Sequence, residues 1–230
     1  MNVIITGAGK GLALELVKIH AKKSDLVYAL AHSLTNDLKE LSDKYKNVIT
    51  FVVELTDEES VKTILNNIKE PIDTIYNVAG IWYSDQVIGI EETDMQKVKN
   101  LYLVNAVACL HIMKYGKRLL KENGILLNVS SEEGSIGEIK RKGNYGYSMS
   151  KAALNMASKI FQNEAKEKHI KVYCYHPGWL KTQMGGEKAL ASSLSISAEE
   201  SANILYSYLY LNKNKIAGMF FDYKNKKREW

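Results

Sequence analysis

Cysteine and proline are both scarce in this chain, at two residues each among 230. Cys109 and Cys174 are too few to build a disulfide framework or a zinc cage, so the expectation is a reducing compartment. Pro71 and Pro177 leave no room for a polyproline linker. No stretch approaches the roughly 18 apolar residues that a membrane-spanning helix needs. The opening Met1-Asn2-Val3-Ile4-Ile5-Thr6 runs into glycines without the basic and apolar regions of a secretory leader. The expectation is a cytoplasmic protein with neither a membrane nor a metal as partner. Excess charge is small too: 31 Lys and Arg against 26 Asp and Glu leave +5. The basic run Lys224-Asn225-Lys226-Lys227-Arg228 comes without a groove-reading motif, so it reads as a solvated end and not as a nucleic-acid surface.

What the chain does contain is ordinary globular material, 46% hydrophobic and 25% charged. Short continuous apolar runs recur at Val3–Thr6, Leu26–Leu30, Val48–Val53, Ile72–Val78, Gly124–Val129 and Ile170–Tyr175, with a weaker seventh at Ala217–Phe221. Runs that do not alternate suit strands buried on both faces by crossover helices. Amphipathic stretches lie between them. One carries Leu12, Leu16 and Ile19; another carries Val61, Ile64, Leu65 and Ile68 behind a capping sequence, Thr56-Asp57-Glu58-Glu59. The order predicts an α/β fold, a doubly wound parallel sheet of about seven strands with helices on both faces, in one domain spanning residues 1–230. Two longer helices, 95–121 and 145–168, are apolar around more of their circumference than one sheet face requires. Either a partner subunit or a thick monomer core would bury them, and a homodimer or homotetramer through these helices is the expectation.

Thr6-Gly7-Ala8-Gly9-Lys10-Gly11-Leu12-Ala13 follows the first strand and opens a helix. Glycines there let the backbone turn tightly and approach a pyrophosphate, whose charge meets the free N–H groups of the helix end. The lack of a Gly-Lys-Ser/Thr ending excludes a P-loop ATPase. A fold of this kind that selects NAD usually places a carboxylate at the end of the second strand. Here that position reads Leu30-Ala31-His32-Ser33-Leu34. His32, Ser33 and nearby Lys10 would tolerate a 2′-phosphate, so NADP(H) is expected over NAD(H).

A second constellation lies downstream. Tyr147 and Lys151 are four apart at the start of a helix and therefore share a face. A phenol of reference pKa about 10 comes closer to acid–base work beside an ammonium. Ser130 and Ser131 end the fifth strand, and Asn77-Val78-Ala79-Gly80 ends the fourth, at the edge where α/β sheets bind ligands. Asn105 sits in an otherwise apolar helical stretch, where an amide needs partners.

Together, Thr-Gly-x-x-x-Gly at 6–11, Asn-x-Ala-Gly at 77–80, Asn105, Ser-Ser at 130–131 and Tyr-x-x-x-Lys at 147–151 resemble the short-chain dehydrogenase/reductase family. Within it the chain looks most like the C-factor (C-signal) and sniffer subgroup, through Ser130–Ile136, Tyr147–Met156, His176–Gly186 and the ending Gly218–Tyr223 with Trp230. The resemblance covers residues 2 to 230. It implies that Tyr147 is the acid/base, Lys151 the lysine that depresses its pKa and holds the nicotinamide ribose, Ser131 the substrate-orienting serine with Ser130 as fallback, and Asn105 part of a proton relay. It also places Gly7, Gly11 and Leu12 at the pyrophosphate, Lys10 at a basic position of NADP-preferring members, and Glu54-Leu55 at the adenine. Asn77, Ala79 and Gly80 lie beside the adenine ribose, and Pro177, Gly178 and Thr182 near the nicotinamide end.

Three departures from the family pattern stand out. Ala13 replaces the third glycine of the fingerprint, and Glu54-Leu55 replaces the usual Asp-Val or Asp-Leu. The Ser131–Tyr147 interval is long, and its glycines, Gly134, Gly137 and Gly143, are expected to make it mobile. The implied activity is NADP(H)-dependent hydride transfer between nicotinamide and a small carbonyl or alcohol substrate. Trp82, Tyr83 and Trp179 point toward an apolar or aromatic carbonyl compound, and Met184-Gly185-Gly186 with the polar run Ala191–Ser197 toward a lid. The alternative is a cofactor-binding signalling or regulatory protein with little turnover.

Overall fold

The computed structural model describes residues 1–212 and 216–230. Seven parallel strands form one sheet: β1 (Asn2–Thr6), β2 (Leu26–Ala31), β3 (Val48–Val52), β4 (Ile72–Asn77), β5 (Leu120–Val129), β6 (Lys171–His176) and β7 (Phe220–Asp222). Their spatial order is β3-β2-β1-β4-β5-β6-β7. The order reverses between β1 and β4, the kind of switch point at whose carboxyl strand ends such sheets bind ligands. Burial from both sides explains the continuous apolar runs of the inner strands, whereas edge strand β3 leaves Ile49 and Val52 exposed. One core holds Val3, Ile5, Leu16, Val17, Leu38, Leu127 and Leu205, contributed by the sheet and by α1 (Gly11–Lys22), α2 (Asn36–Lys44) and α8 (Ala198–Tyr206). The other holds Ile4, Leu65, Ile75, Ile112, Leu126, Leu154 and Phe161, with α3 (Glu58–Asn67), α5 (Ala108–Gly116) and α6 (Tyr145–Glu164) on that face. Asp57 caps α3 through Glu59 N, as its sequence predicts.

The first of the long helices is shorter and less regular than 95–121. It runs as α4 (Met95–Tyr102), a wide π turn over Leu103–Val107, and α5, and it ends at Gly116. Gly116 packs where a Cβ would lie 2.8 Å from Ile75 Cδ1, and Leu120 already belongs to β5. The second follows its expected course, with a 3-10 turn over Lys166–Lys168 after α6. Segment 179–197 is a folded excursion: it contains α7 (Gly186–Ala191) and closes on itself through a bridge between Leu180 and Ile196. Among the described residues no helix is long and apolar enough to cross a membrane.

Candidate active site

The glycine turn after β1 is held in place by Thr6. Its hydroxyl accepts from Val78 N at 3.0 Å and Ala79 N at 3.2 Å, and so ties the end of β1 to the end of β4 across the switch point. Gly7 has φ +71°, and a Cβ there would sit 2.9 Å from Ala79 Cα, so backbone approaches backbone too closely for any side chain. Gly11 begins α1 at φ +59°, with Leu12 buried behind it. The start of α1 has no side-chain cap and no acid in its first turn. Its free N–H groups and the bare glycine cradle fit a pyrophosphate. Thr35 closes the other wall by donating to Gly9 O at 2.8 Å.

His32 and Ser33 are exposed at the end of β2. Although residues 31–34 lack an acid, the Glu54 carboxylate from the end of β3 lies 3.3 Å from His32 Nε2, so negative charge is present at this corner after all. Glu54 is also anchored by Thr56, whose hydroxyl donates to Oε1 at 2.6 Å. Lys10 reaches the other way and donates to Gln183 Oε1 at 2.8 Å. Next to Gln183, Thr182 has its methyl 3.6 Å from where a Gly11 Cβ would be. Residues 182–183 therefore lie against the glycine loop. Pro177 is buried, and Gly178, at φ +87°, packs on the Tyr223 ring.

Asn105 is fully buried within the π turn, and its amide is wholly engaged. Oδ1 accepts from Ile81 N at 2.8 Å, and Nδ2 donates to Ile81 O at 3.0 Å and to Ser150 Oγ at 3.1 Å. Ser150 in turn donates to Tyr147 O at 2.7 Å, so the amide braces the first turn of α6. Lys151 is buried, with Nζ donating to Val129 O at 2.9 Å and lying 5.8 Å from the Tyr147 ring centroid. Asn105 and Lys151 meet at Gly80, where a Cβ would stand 3.1 Å from Asn105 Oδ1 and 3.5 Å from Lys151 Nζ. Burial holds the Lys151 ammonium below its ordinary pKa.

The two serines divide their work. Ser130 is spent on structure: its hydroxyl donates to Asn155 Oδ1 at 2.7 Å, and Asn155 Nδ2 donates to Gly134 O at 3.1 Å. Ser131 faces Tyr147. Burial pushes the Tyr147 phenol up to about 12, against the lowering influence of Ser131 as a nearby hydrogen-bonding partner. Glu133 raises it further and Arg141 opposes that. Asn77 lies behind the site, donating to Asn128 Oδ1 at 2.8 Å. Asn128 donates to Ser158 Oγ at 2.7 Å.

The glycine-bearing loop between Ser131 and α6 is closely packed and hydrogen-bonded to α6. A Cβ on Gly134 would stand 2.8 Å from the Lys151 carbonyl carbon, and one on Gly143 would run into the Ile88 backbone. These glycines permit close packing. Glu133 ties the loop to α6, accepting from Asn144 Nδ2 at 2.5 Å and Ser148 Oγ at 3.1 Å. Asn155 and Glu133 are supporting residues that the sequence reading passed over. A signal for Asn155 was present: Ser150, Lys151, Asn155 and Ser158 form a buried polar stripe along α6.

A tyrosine, a serine and a buried lysine thus converge beside a glycine-lined anion cradle, an arrangement suited to proton transfer next to a bound dinucleotide. Comparison with known proteins agrees. The family model described as short chain dehydrogenase matches residues 1–192. C-signal of Myxococcus xanthus is 27% identical over 162 residues, spanning 70% of this chain and 93% of its own. The NADPH-bound carbonyl reductase from chicken fatty liver superposes with a TM-score of 0.88 at 26% identity, covering 100% of this chain and 98% of that one. The carbonyl reductase Sniffer of D. melanogaster matches with a TM-score of 0.87 at 24% identity, covering 100% and 99%. The chain is an oxidoreductase that belongs to the short-chain dehydrogenase/reductase family.

Proposed function

We propose that the protein is an NADP(H)-dependent carbonyl reductase working as one domain, with Tyr147 as its proton donor. The observation that carries this reading is buried Lys151 lying with Nζ 5.8 Å from the Tyr147 ring, beside the serines that follow β5. When bound, the reduced nicotinamide supplies the hydride. As negative charge develops on a carbonyl oxygen, the Ser131 hydroxyl donates a hydrogen bond to it and Tyr147 gives up its proton. The Lys151 ammonium steadies the phenolate that remains. Asn105, with its amide on Ile81 and Ser150, braces the turn of α6 that carries Tyr147. Alcohol oxidation uses the same groups in reverse.

NADP(H) is supported by Lys10, by the lack of a carboxylate at 31–34 and by the NADPH-bound relative. Glu54 beside His32 limits the preference and leaves Lys10 as its main source. For the substrate, Ile136, Trp179, Met184 and Leu194 are exposed on the loops that follow β5 and β6. That rim favours an apolar or aromatic carbonyl compound. Met95, Leu110, Met149, Met156 and Ile160 are exposed along α4, α5 and α6, and we assign this face to a second copy of the chain. The functional test is titration with NADPH and NADH, followed by a panel of aldehydes, ketones and quinones. Tight NADPH binding with turnover of at least one apolar carbonyl supports the reading, and binding without any turnover returns the protein to a regulatory role.

A further inference from the structure

Arg228 does not behave as the solvated end of a basic run. Its side chain is 14% exposed and is ringed by carboxylates from distant parts of the chain. Nη1 donates to Glu138 Oε2 at 2.6 Å, Nη2 to Glu132 Oε2 at 3.1 Å, and Nε lies 3.2 Å from Asp222 Oδ2. Asp222 is buried at the end of β7, and it also accepts from Lys224 N and Lys226 N, both at 2.9 Å. The guanidinium is therefore mounted on the rigid sheet edge and reaches out to both ends of the short loop that leaves Ser131. Its neighbours reinforce the hold. Gly137 N donates to Trp230 O at 2.9 Å, and the Trp230 ring packs 5.6 Å from Phe220 of β7. A cavity of about 230 Å³ opens beside this junction, lined by Glu132, Glu133, Glu138, Arg141 and Arg228 among others. The loop thus has solvent next to it and depends on these polar ties.

The loop in turn carries the groups that matter. Ser131 O accepts from Gly134 N at 2.9 Å, and Ser131 Oγ accepts from Glu133 N at 3.2 Å. Glu133 holds Ser148 and Asn144 at the start of α6, one and three residues from Tyr147 and so within a single turn of it. A fork-shaped cation that bonds two carboxylates at once fixes direction as well as distance, which a lysine cannot do.

From this geometry we propose that Arg228 is a positioning residue for carbonyl reduction: by clasping Glu132 and Glu138 against Asp222 it holds the Ser131 loop so that the serine hydroxyl meets the Tyr147 phenol. The inference rests on the carbonyl-reductase reading above. Arg228 touches neither substrate nor cofactor in this role. Its contribution belongs to the turnover step and leaves the glycine cradle alone.

The test compares Arg228→Gln, Arg228→Lys and Glu138→Gln with the unaltered protein. Hydride transfer is sensitive to sub-ångström placement, so Arg228→Gln and Glu138→Gln should each lower kcat about tenfold or more while the NADPH Kd stays within about twofold. Arg228→Lys, which keeps charge but loses the fork, should recover part of that loss. Hydrogen exchange should quicken at the amides of 134–139 and remain unchanged at β1 and β4, in the absence of any substrate. Unchanged kcat with unchanged exchange would overturn the proposal. So would a fall in kcat matched by weakened NADPH binding or by faster exchange throughout the sheet, because the residue would then serve general stability. If the unaltered protein reduces no carbonyl at all, the enzymatic reading fails by itself, and the exchange measurement still decides whether Arg228 clasps the loop.

Discussion

The contact between Gly134 and α6 offers a sharp test of how the serine is placed. Replacing Gly134 by alanine puts a methyl 2.8 Å from the Lys151 carbonyl carbon, 2.9 Å from its Cβ and 3.0 Å from its carbonyl oxygen. All three belong to the backbone or root of a helix packed in the core, so none can swing aside. Gly134 is not at positive φ, which leaves steric pressure as the whole effect. Relief requires the loop to retreat by about half an ångström, at an overpacking cost of ~1–3 kcal/mol. For a chain of this size, that lowers the melting temperature by roughly 2–12 °C. Ser131 moves too, because Gly134 N is bonded to its carbonyl. A 1 Å misplacement at a reacting centre costs about a hundredfold, so kcat should fall by about tenfold. The assay is steady-state NADPH oxidation with a carbonyl substrate, paired with calorimetry and with NADPH fluorescence to follow binding. A variant that melts lower yet turns over at the normal rate would refute the claim that this contact sets the serine. One that melts normally would refute the packing argument itself.

Other perturbations address the remaining assignments. Lys151→Met should weaken NADPH binding and lower kcat by an order of magnitude or more, since on the proposed mechanism its ammonium steadies the phenolate and holds the nicotinamide ribose; steady-state kinetics with a binding titration checks this. Lys10→Gln should cost NADPH more affinity than NADH, whereas Glu54→Gln, by removing the charge beside His32, should move the balance toward NADPH; equal changes for both cofactors would count against the phosphate argument. His176 is buried at the end of β6, with Nδ1 lacking a hydrogen-bond partner among the described residues, and burial brings its pKa down to about 4. The unfolded chain binds that proton near pH 6.5 and the folded chain does not, so stability is lost as pH falls from about 6.5 to about 4, by up to about 3 kcal/mol. His20, also lowered by burial, adds in the same direction, and urea unfolding at pH 7 and pH 5 reads the sum. Changing Leu110 and Met156 together to glutamate should convert a dimer to monomers in sedimentation.

Much of the architecture was legible because burial on both faces writes the inner strands as unbroken apolar runs. The first six runs each fall on a strand, although β5 starts four residues early at Leu120, and the weak seventh shares only Phe220 and Phe221 with β7. The glycine turn and the Tyr147–Lys151 pair were legible for a related reason: each is local, within eight residues, and its spacing alone sets its geometry. What escaped notice depends on contacts between distant segments. Gly134 and Gly143 read as freedom of the loop, yet the backbones they meet, at Lys151 and Ile88, cannot be inferred from their neighbours in sequence. Arg228 read as one more charge in a basic run, because its partner Glu138 is ninety residues away. Glu54 and His32 come from different strand ends and meet only because β2 and β3 are adjacent in the sheet. The break after Gly116 was hidden by Leu119 and Leu120, which continue an apolar pattern while the chain has already turned toward β5.

The central claim is that the Tyr147 phenol delivers the proton, and single-turnover reduction by Tyr147→Phe tests it most directly. With enzyme and NADPH premixed and a reactive aldehyde added, the account predicts that the variant binds NADPH within about twofold of normal while the reduction step slows by about a thousandfold or more. A phenylalanine variant that reduces the aldehyde at the normal rate would contradict it.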